Sequence, residues 1–406
     1  MMAGPLDGVR VLEVAIYAFA PSATAILGDW GADVLKVEHP VLGDPGRNTA
    51  AWGVPADVHG VSHLWEVTNR GKRAMTLDIA TPEGKAILLE LVDESDVFVT
   101  NFLPPARRKL GIEPEDIFAR NPGIVYARGS AQGPRGALSE RGGFDGISYW
   151  GRTGAAIGVT PPGTDVPLAM PGPGFGDLQS GVALAGGITA ALYQREKTGA
   201  GVVVDVSLMS MGLWAMGMTI SGTSVLDVDE LPHQYHADST NPLVNNYRTK
   251  DDHLVCLAFL QSDRYWPEFC VAVDKLDWLG DERFTDSPDR EANRGALIEL
   301  LDELFAEKTL AEWEDILSAQ DGQWDVLIPA GQVQHDLQAQ ANGYVQRVEH
   351  EGDGTIVLVP APAQFDGVAP VLGRAPTFGA DTDEVLRSQG VTDDAIADLR
   401  SRRIIA

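Results

Sequence analysis

The stretch from Val9 to Val37, VRVLEVAIYAFAPSATAILGDWGADVLKV, decides the fold. Val9 to Val14 is a short apolar run that reads as a buried strand. Pro21 to Trp30 places Ala23, Ile26 and Leu27 on one helical face, and Ala32 to Val37 reads as the next strand. Strand, helix and strand in succession make a βαβ unit.

The pattern repeats downstream. Arg73 to Ile79 reads as a strand, and Thr81-Pro82-Glu83 as a helix start with threonine as cap and proline in the first turn. Ile87, Leu88, Leu91 and Val92 form that helix's apolar face, and Val97–Thr100 and Gly123–Ala127 read as further strands. Alternation of this kind implies an α/β fold, a Rossmann-like doubly wound large domain around a mostly parallel sheet. Such sheets bind ligands at the carboxyl ends of their strands. Those ends are Ala15 to Ala20, Glu38-His39, Asn101-Phe102 and Arg128 to Gln132.

Asp177 to Tyr193 reads as a helix with many small residues, Gly201 to Val206 as a strand, and Leu208 to Ile220 as a methionine-rich segment. Periodicity then fails and turn residues cluster, which marks a linker over 221–245. A smaller α+β domain is expected over 246–319, with a hairpin-like Asn246–Ala258 followed by helices. From 320 to 406 the chain is read as a return linker and the C-terminal part of the large domain, with strand-like segments at Trp324–Ile328 and Thr355–Val359 and a polar helix at Thr392–Arg400. The first part of that large domain is 1–220.

The 406 residues are 44% hydrophobic, enough for two domains, and carry a net charge of −27. An acidic surface argues against nucleic-acid and anionic-membrane partners, because it is repelled by both and gains nothing from counterion release. Cys256 and Cys270, the two cysteines, sit in apolar contexts, which fits a reducing compartment. The amino-terminal residues lack a signal-peptide pattern, and no apolar run has the length of a membrane span. A cytoplasmic protein is expected.

The first turn of the βαβ unit, Ala15-Ile-Tyr-Ala-Phe-Ala20, lacks the glycines that let backbone approach a pyrophosphate, so a dinucleotide is not expected. No GxSxG elbow occurs. His233 and His236 with Asp238 have metal-compatible spacing but no third ligand cluster, so no metal is expected. The run Pro171-Gly-Pro-Gly-Phe-Gly-Asp177 places one carboxylate before an apolar helix. An aspartate there is a good helix cap and gains from the helix dipole. It is also a candidate nucleophile, because a carboxylate flanked by glycines is open to a reactive carbonyl.

These residues resemble the class III CoA-transferases, the carnitine/bile-acid type of acyl-CoA transferase. The resemblance runs in order through Pro5–Glu13, Leu27–Glu38, Asn69–Arg73 with Leu77-Asp78, Asp96–Phe102, Gly176-Asp177, Lys197–Gly201 with Val204–Val206, and Thr382–Leu386. It implies a large domain built from both chain ends, an inserted small domain, and an interlocked homodimer. It implies Asp177 as the nucleophile, attacking an acyl-CoA thioester to give an aspartyl anhydride and then an aspartyl-CoA thioester that a free carboxylic acid resolves. Coenzyme A would be a substrate, and no permanently bound cofactor is implied. Positions carried over for CoA binding are Ala18, His39, Leu77, Asn101, Phe102 and Lys109, with Arg73 near the nucleotide. His39 and Lys109 stand where relatives carry arginine, a different phosphate ligand. Tyr17, Phe144, Tyr149, Trp150 and Trp214 are the expected lining of the acyl pocket and point to a medium or bulky organic acid.

The superfamily also contains α-methylacyl-CoA racemases. Their histidine base matches Phe144, which cannot accept a proton, and their small-domain glutamate is absent around Leu260-Gln261. A non-catalytic acyl-CoA-binding homologue is the third reading.

Overall fold

The computed structural model describes residues 4–48, 62–350 and 354–406. Six strands form one sheet: β1 (Arg10–Val14), β2 (Asp33–Glu38), β3 (Arg73–Thr76), β4 (Val97–Thr100), β5 (Val125–Ser130) and β6 (Val203–Ser207). Their spatial order is β3-β2-β1-β4-β5-β6, and every neighbouring pair is parallel. The order reverses between β1 and β4. Their register sets Leu12 opposite Leu35 on one side and Phe98 on the other.

The helices of this part are α1 (Phe19–Asp29), α2 (His63–Asn69), α3 (Pro82–Asp93), α4 (Pro104–Leu110), α5 (Pro114–Arg120), α6 (Ala155–Gly158), α7 (Phe175–Thr198), α8 (Leu208–Ala215) and α9 (Gly217–Leu226). Strand alternation sends side chains to two cores. Leu12, Val14, Leu35, Val37 and Phe98 pack with Ile87, Leu88 and Leu91 of α3 and with Leu386 and Leu399 from the chain's end. Val11, Val34, Val97 and Val99 pack on the opposite face with Ala23 and Leu27 of α1 and Leu184 and Ile188 of α7. A sheet covered on both faces takes apolar residues at most positions, which is why β4 is a short apolar run and β1 is apolar apart from Arg10 and Glu13.

Helix α1 starts at Phe19, two residues before the expected Pro21. Proline tolerates this place because the first-turn N–H groups have no intrahelical acceptor. Helix α3 follows its sequence signals: the Thr81 hydroxyl accepts from the Gly84 N–H, and Pro82 opens the helix.

The chain divides into two units, one comprising Met1–Leu231 and Leu337–Ala406, the other Pro232–Asp336. The second is wider than the expected 246–319. It holds an antiparallel sheet of β7 (Val244–Arg248), β8 (Leu254–Ala258) and β9 (Trp324–Leu327), and helices α10 (Ser262–Ala272), α11 (Ser287–Ala292), α12 (Arg294–Phe305) and α13 (Leu310–Leu317). Strand β9 was expected in the return to the large domain, but it pairs with β8, where Trp324 packs against the small core. Within the expected linker, α9 continues to Leu226. The segment expected as a strand at Thr355–Val359 pairs as Gly354–Leu358 with Gln346–His350 in a separate two-stranded ribbon. Among the described residues no helix is long and apolar enough to cross a membrane.

Candidate active site

At the reversal of strand order, the loops after β1 and β4 are tied together. The Ile16 N–H donates to Asn101 Oδ1 (3.0 Å), and Asn101 Nδ2 donates to the Ile16 carbonyl (2.6 Å). Over this junction lies a cavity of about 970 Å³ whose lining includes Tyr17, Phe19, Asn101, Phe102, Phe144 and Asp177. Parallel α/β sheets take their ligands at such a crevice.

Asp177 reaches the cavity because α7 crosses α1 closely. A Cβ on Gly181 would lie 2.0 Å from Ser22 Oγ, and one on Gly176 would lie 2.6 Å from the Tyr149 ring. Glycine at these two places lets the start of α7 settle against α1 and the segment around Tyr149. Ser22, buried at that crossing, donates to the Phe19 carbonyl at 2.7 Å, and its Oγ lies 3.5 Å from the Asp177 carbonyl.

Asp177 is not the helix cap. Helix α7 begins two residues earlier, with Gly174 at the capping position, so Asp177 lies within the first turn. The carboxylate that serves the start of α7 belongs to Asp145: its Oδ2 accepts from the Gly176 N–H (3.2 Å) and its Oδ1 from the Gly146 N–H (2.8 Å). The Asp177 side chain has no hydrogen-bond or ion-pair partner among the described residues. Burial, and then repulsion from Asp145, push its carboxyl up to about 7. Desolvation and a like charge thus outweigh the gain from the helix dipole. A carboxylate raised this way is more basic, and more nucleophilic once ionised, than an ordinary surface aspartate.

Beneath the β1–α1 loop lies a buried ionic cluster. Glu13 and Lys36 are register partners on β1 and β2 and meet at 2.6 Å, both with fully buried side chains. Lys72 reaches the other Glu13 oxygen at 2.7 Å, and Lys36 also pairs with Asp44 at 2.7 Å. Against the penalty of burial, the two ammonium groups hold the Glu13 carboxyl down to about 2. Asp44 Oδ1 in turn accepts from the N–H groups of Tyr17 (3.0 Å) and Gly46 (2.8 Å). Tyr17 is held at φ 66°, a conformation that costs a non-glycine residue roughly 1–2 kcal/mol.

Of the expected CoA positions, Asn101 and Phe102 line the cavity, and Ala18 is the residue preceding α1, between the lining residues Tyr17 and Phe19. His39 follows β2, where its Nδ1 accepts from the N–H groups of Val41 and Leu42. Leu77 is fully buried after β3, and Lys109 is exposed on α4. Arg73 opens β3 at the amino edge of the sheet and pairs with Asp33 at 2.6 Å, so the strand direction carries it away from the crevice.

Of the expected acyl-pocket residues, Tyr17 and Phe144 line the cavity, with ring centroids 5.4 Å apart and planes at 85°. Tyr149 is buried and donates to Gln179 Oε1, and Trp150 donates to the Leu168 carbonyl. Both rings meet the edge or face of Phe175, so they brace the start of α7 rather than line the cavity. Trp214 is 80% exposed, beside a separate groove lined by Val182, Ala183 and Met211. It is not among the residues lining the cavity that holds Asp177.

The structure adds residues the sequence reading passed over. Asp145 stands in Gly143-Phe-Asp-Gly146, 31 residues before the helix start it serves, so nothing local in the sequence marked it. Arg107, Arg108, Arg128 and Arg141 also line the cavity, together with Glu113, Glu115 and Glu140. Arg107, Arg108 and Arg128 are paired with Glu113, Glu140 and Asp205. His236 is engaged by Asp302 and Asn245, and among the described residues no three His, Cys, Asp or Glu side chains converge as metal ligands.

The model of CoA-transferase family III matches residues 6–382. The chain belongs to CoA-transferase family III. This family member is 31% identical over 402 residues to the (R)-2-hydroxy-4-methylpentanoate CoA-transferase of Clostridioides difficile, covering 98% of this chain and 99% of the relative. It is 30% identical over 405 residues to the cinnamoyl-CoA:phenyllactate CoA-transferase of Clostridium sporogenes, covering 98% and 97%. It resembles the crystal structure of a CAIB/BAIF family protein from Brucella suis with a TM-score of 0.79 at 26% identity, covering 96% of this chain and 100% of that one. The protein is thus an enzyme, a CoA-transferase with a six-stranded parallel sheet.

Proposed function

We propose that this CoA-transferase moves CoA from an acyl-CoA to a free carboxylic acid through covalent intermediates on Asp177. The observation that carries the reading is the placement of Asp177: a desolvated carboxylate without a protein partner among the described residues, opening onto the cavity at the sheet's strand-order reversal. An Asp177 oxygen adds to the thioester carbonyl, the C–S bond breaks, and CoA leaves as thiolate. The thiolate then attacks the aspartyl carbonyl of the anhydride, releasing the donor acid and leaving an aspartyl-CoA thioester. The acceptor carboxylate attacks that thioester, a second anhydride forms, and thiolate attack on its acyl carbonyl restores Asp177 and yields the new acyl-CoA. Each step exchanges one activated acyl bond for another, so catalysis consists of positioning and exclusion of water.

Asn101, Phe102 and the start of α1 at Ala18 support the pantetheine arm in this reading, with His39 and Lys109 toward the phosphates. Two relatives are named for hydroxy-acid and aryl acid substrates, which favours a medium or bulky acyl group over a one- or two-carbon one. The groove beside Trp214, with exposed Val182 and Met218, supports a homodimer in which a second copy covers α7, α8 and α9. The free Cys256 and Cys270 fit a cytoplasmic enzyme. Racemisation is disfavoured: Phe144 faces the cavity where a second base would stand, and both Asp145 oxygens are occupied by backbone N–H groups.

The test is exchange of labelled CoA between acyl-CoAs and free acids, with hydroxylamine added during turnover. The expected outcome is a hydroxamate on the peptide containing Asp177 and loss of exchange in Asp177→Ala. Intact exchange in that variant refutes the mechanism, and deuterium wash-in at the α-carbon without exchange supports the racemase instead.

A further inference from the structure

We propose that Tyr17 sets the acyl selectivity of the cavity, with Phe144 as its partner wall, and that the pair selects acyl groups bearing an aromatic ring. This rests on the acyl-CoA reading of the Asp177 cavity and goes beyond it by assigning the substrate class to two side chains. Both rings line the cavity that holds Asp177. They meet edge to face at 5.4 Å and 85°, which forms an aromatic corner. Phe144 remains 59% exposed, so much of its ring is left uncovered by the protein. A third ring entering that corner meets a quadrupole arrangement that a linear chain cannot use.

The corner is pre-organised. The backbone immediately before Tyr17 is fixed by the reciprocal pair between Ile16 and Asn101. The Tyr17 N–H itself is held by Asp44, which is buried and paired with the fully buried Lys36. A left-handed tyrosine clamped from a buried ion pair is a strained feature that the rest of the fold over-determines, and such strain gathers where geometry serves a site. A loop with no demand on its side chain would carry glycine at φ 66°. Here the conformation aims a large ring at the cavity and keeps it from collapsing when the acyl group is absent, which reduces the ordering cost of binding.

Two unreactive thioethers test this, S-(3-phenylpropyl)-CoA and S-butyl-CoA, titrated calorimetrically into the full-length protein. The wild type is expected to bind the phenylpropyl ligand roughly tenfold tighter, the scale of an aromatic contact plus buried apolar area. Tyr17→Gly, which suits the backbone conformation, and Phe144→Ala, at an exposed position, each reduce that preference to about two- or threefold, while Tyr17→Phe restores it. Trp214→Ala, outside the cavity, leaves the preference unchanged. An unaltered ratio in Tyr17→Gly and Phe144→Ala, or an equal loss for both ligands, overturns the proposal. Binding of both ligands to the wild type without preference overturns this proposal alone, whereas failure of both to bind overturns the acyl-CoA reading with it.

Discussion

Replacing Asp177 with asparagine should stabilise the protein, and by an amount that depends on pH. Asparagine has nearly the shape of the protonated acid but cannot ionise. The folded protein holds the Asp177 proton more tightly than the unfolded chain does, with the carboxyl raised from 3.8 to about 7 by burial and by Asp145. Stability linked to this group is fully present below 3.8 and is lost as pH rises through about 7. The full difference corresponds to at most ~4 kcal/mol. Water entering the open cavity screens the carboxylate, and ~2 kcal/mol is the expected cost at pH 8. Thermal unfolding should therefore show Asp177→Asn and wild type nearly equal at pH 4, and the variant higher by roughly 3 °C at pH 8 for the large unit containing α7. A pH-independent offset, or a variant less stable at pH 8 than the wild type, would refute the claim that this carboxyl is raised by its surroundings.

The same carboxyl should govern turnover. Exchange kcat/KM is expected to rise with pH and level off above about 7, and Asp145→Asn, which removes the neighbouring charge, should move the inflection to lower pH in a pH–rate profile. Gly181→Ala places a methyl 2.0 Å from Ser22 Oγ and should cost about 1–3 kcal/mol in denaturant titration, with partial recovery in the double variant with Ser22→Ala. Lys36→Met leaves Glu13 and Asp44 without their shared cation and should cost about 3–5 kcal/mol, read as a lower urea midpoint.

The large domain's architecture was legible because its strands are buried on both faces. Mostly apolar segments at Val9–Val14 and Val97–Thr100, punctuated by a capped helix at Thr81, leave little besides a parallel sheet. Legibility failed where partners lie far apart in sequence. Trp324 to Ile328 looks like any short strand, and its pairing with β8 depends on the small core that Trp324 enters. Trp214 could be read from sequence either as acyl-pocket lining or as a core or dimer face, because methionine-rich and aromatic segments look alike whether they fill a core or face outward; it is 80% exposed. Asp177 was recognisable by its setting, but its capping role was misassigned: the capping oxygen comes from Asp145, 31 residues before the Gly176 N–H it accepts. Arg73 looked like a phosphate ligand until strand direction placed it at the sheet's opposite edge.

Three unfavourable arrangements meet at one loop junction: a left-handed tyrosine, a pair of neighbouring carboxylates, and a buried cluster of charged residues. Chance would scatter such costs, since each arises from a different cause. Their spatial relation suggests a division of labour. The ionic cluster uses Asp44 to fix the backbone after β1, and the close α1–α7 crossing at Gly181 holds the first turns of α7, which carry Asp177, against α1. With both backbones held, neither the Tyr17 ring nor the Asp177 carboxylate can relax away from the cavity into a cheaper position. The Asp177 carboxylate thereby stays poorly solvated, and its raised basicity is a consequence of packing several residues away. Substitutions that loosen Gly181 or Lys36 should for that reason lower the Asp177 inflection in the pH–rate profile as well as the stability, since relaxation would readmit water to the carboxylate. A destabilised Gly181→Ala protein that kept the wild-type inflection would separate the two effects and break this link.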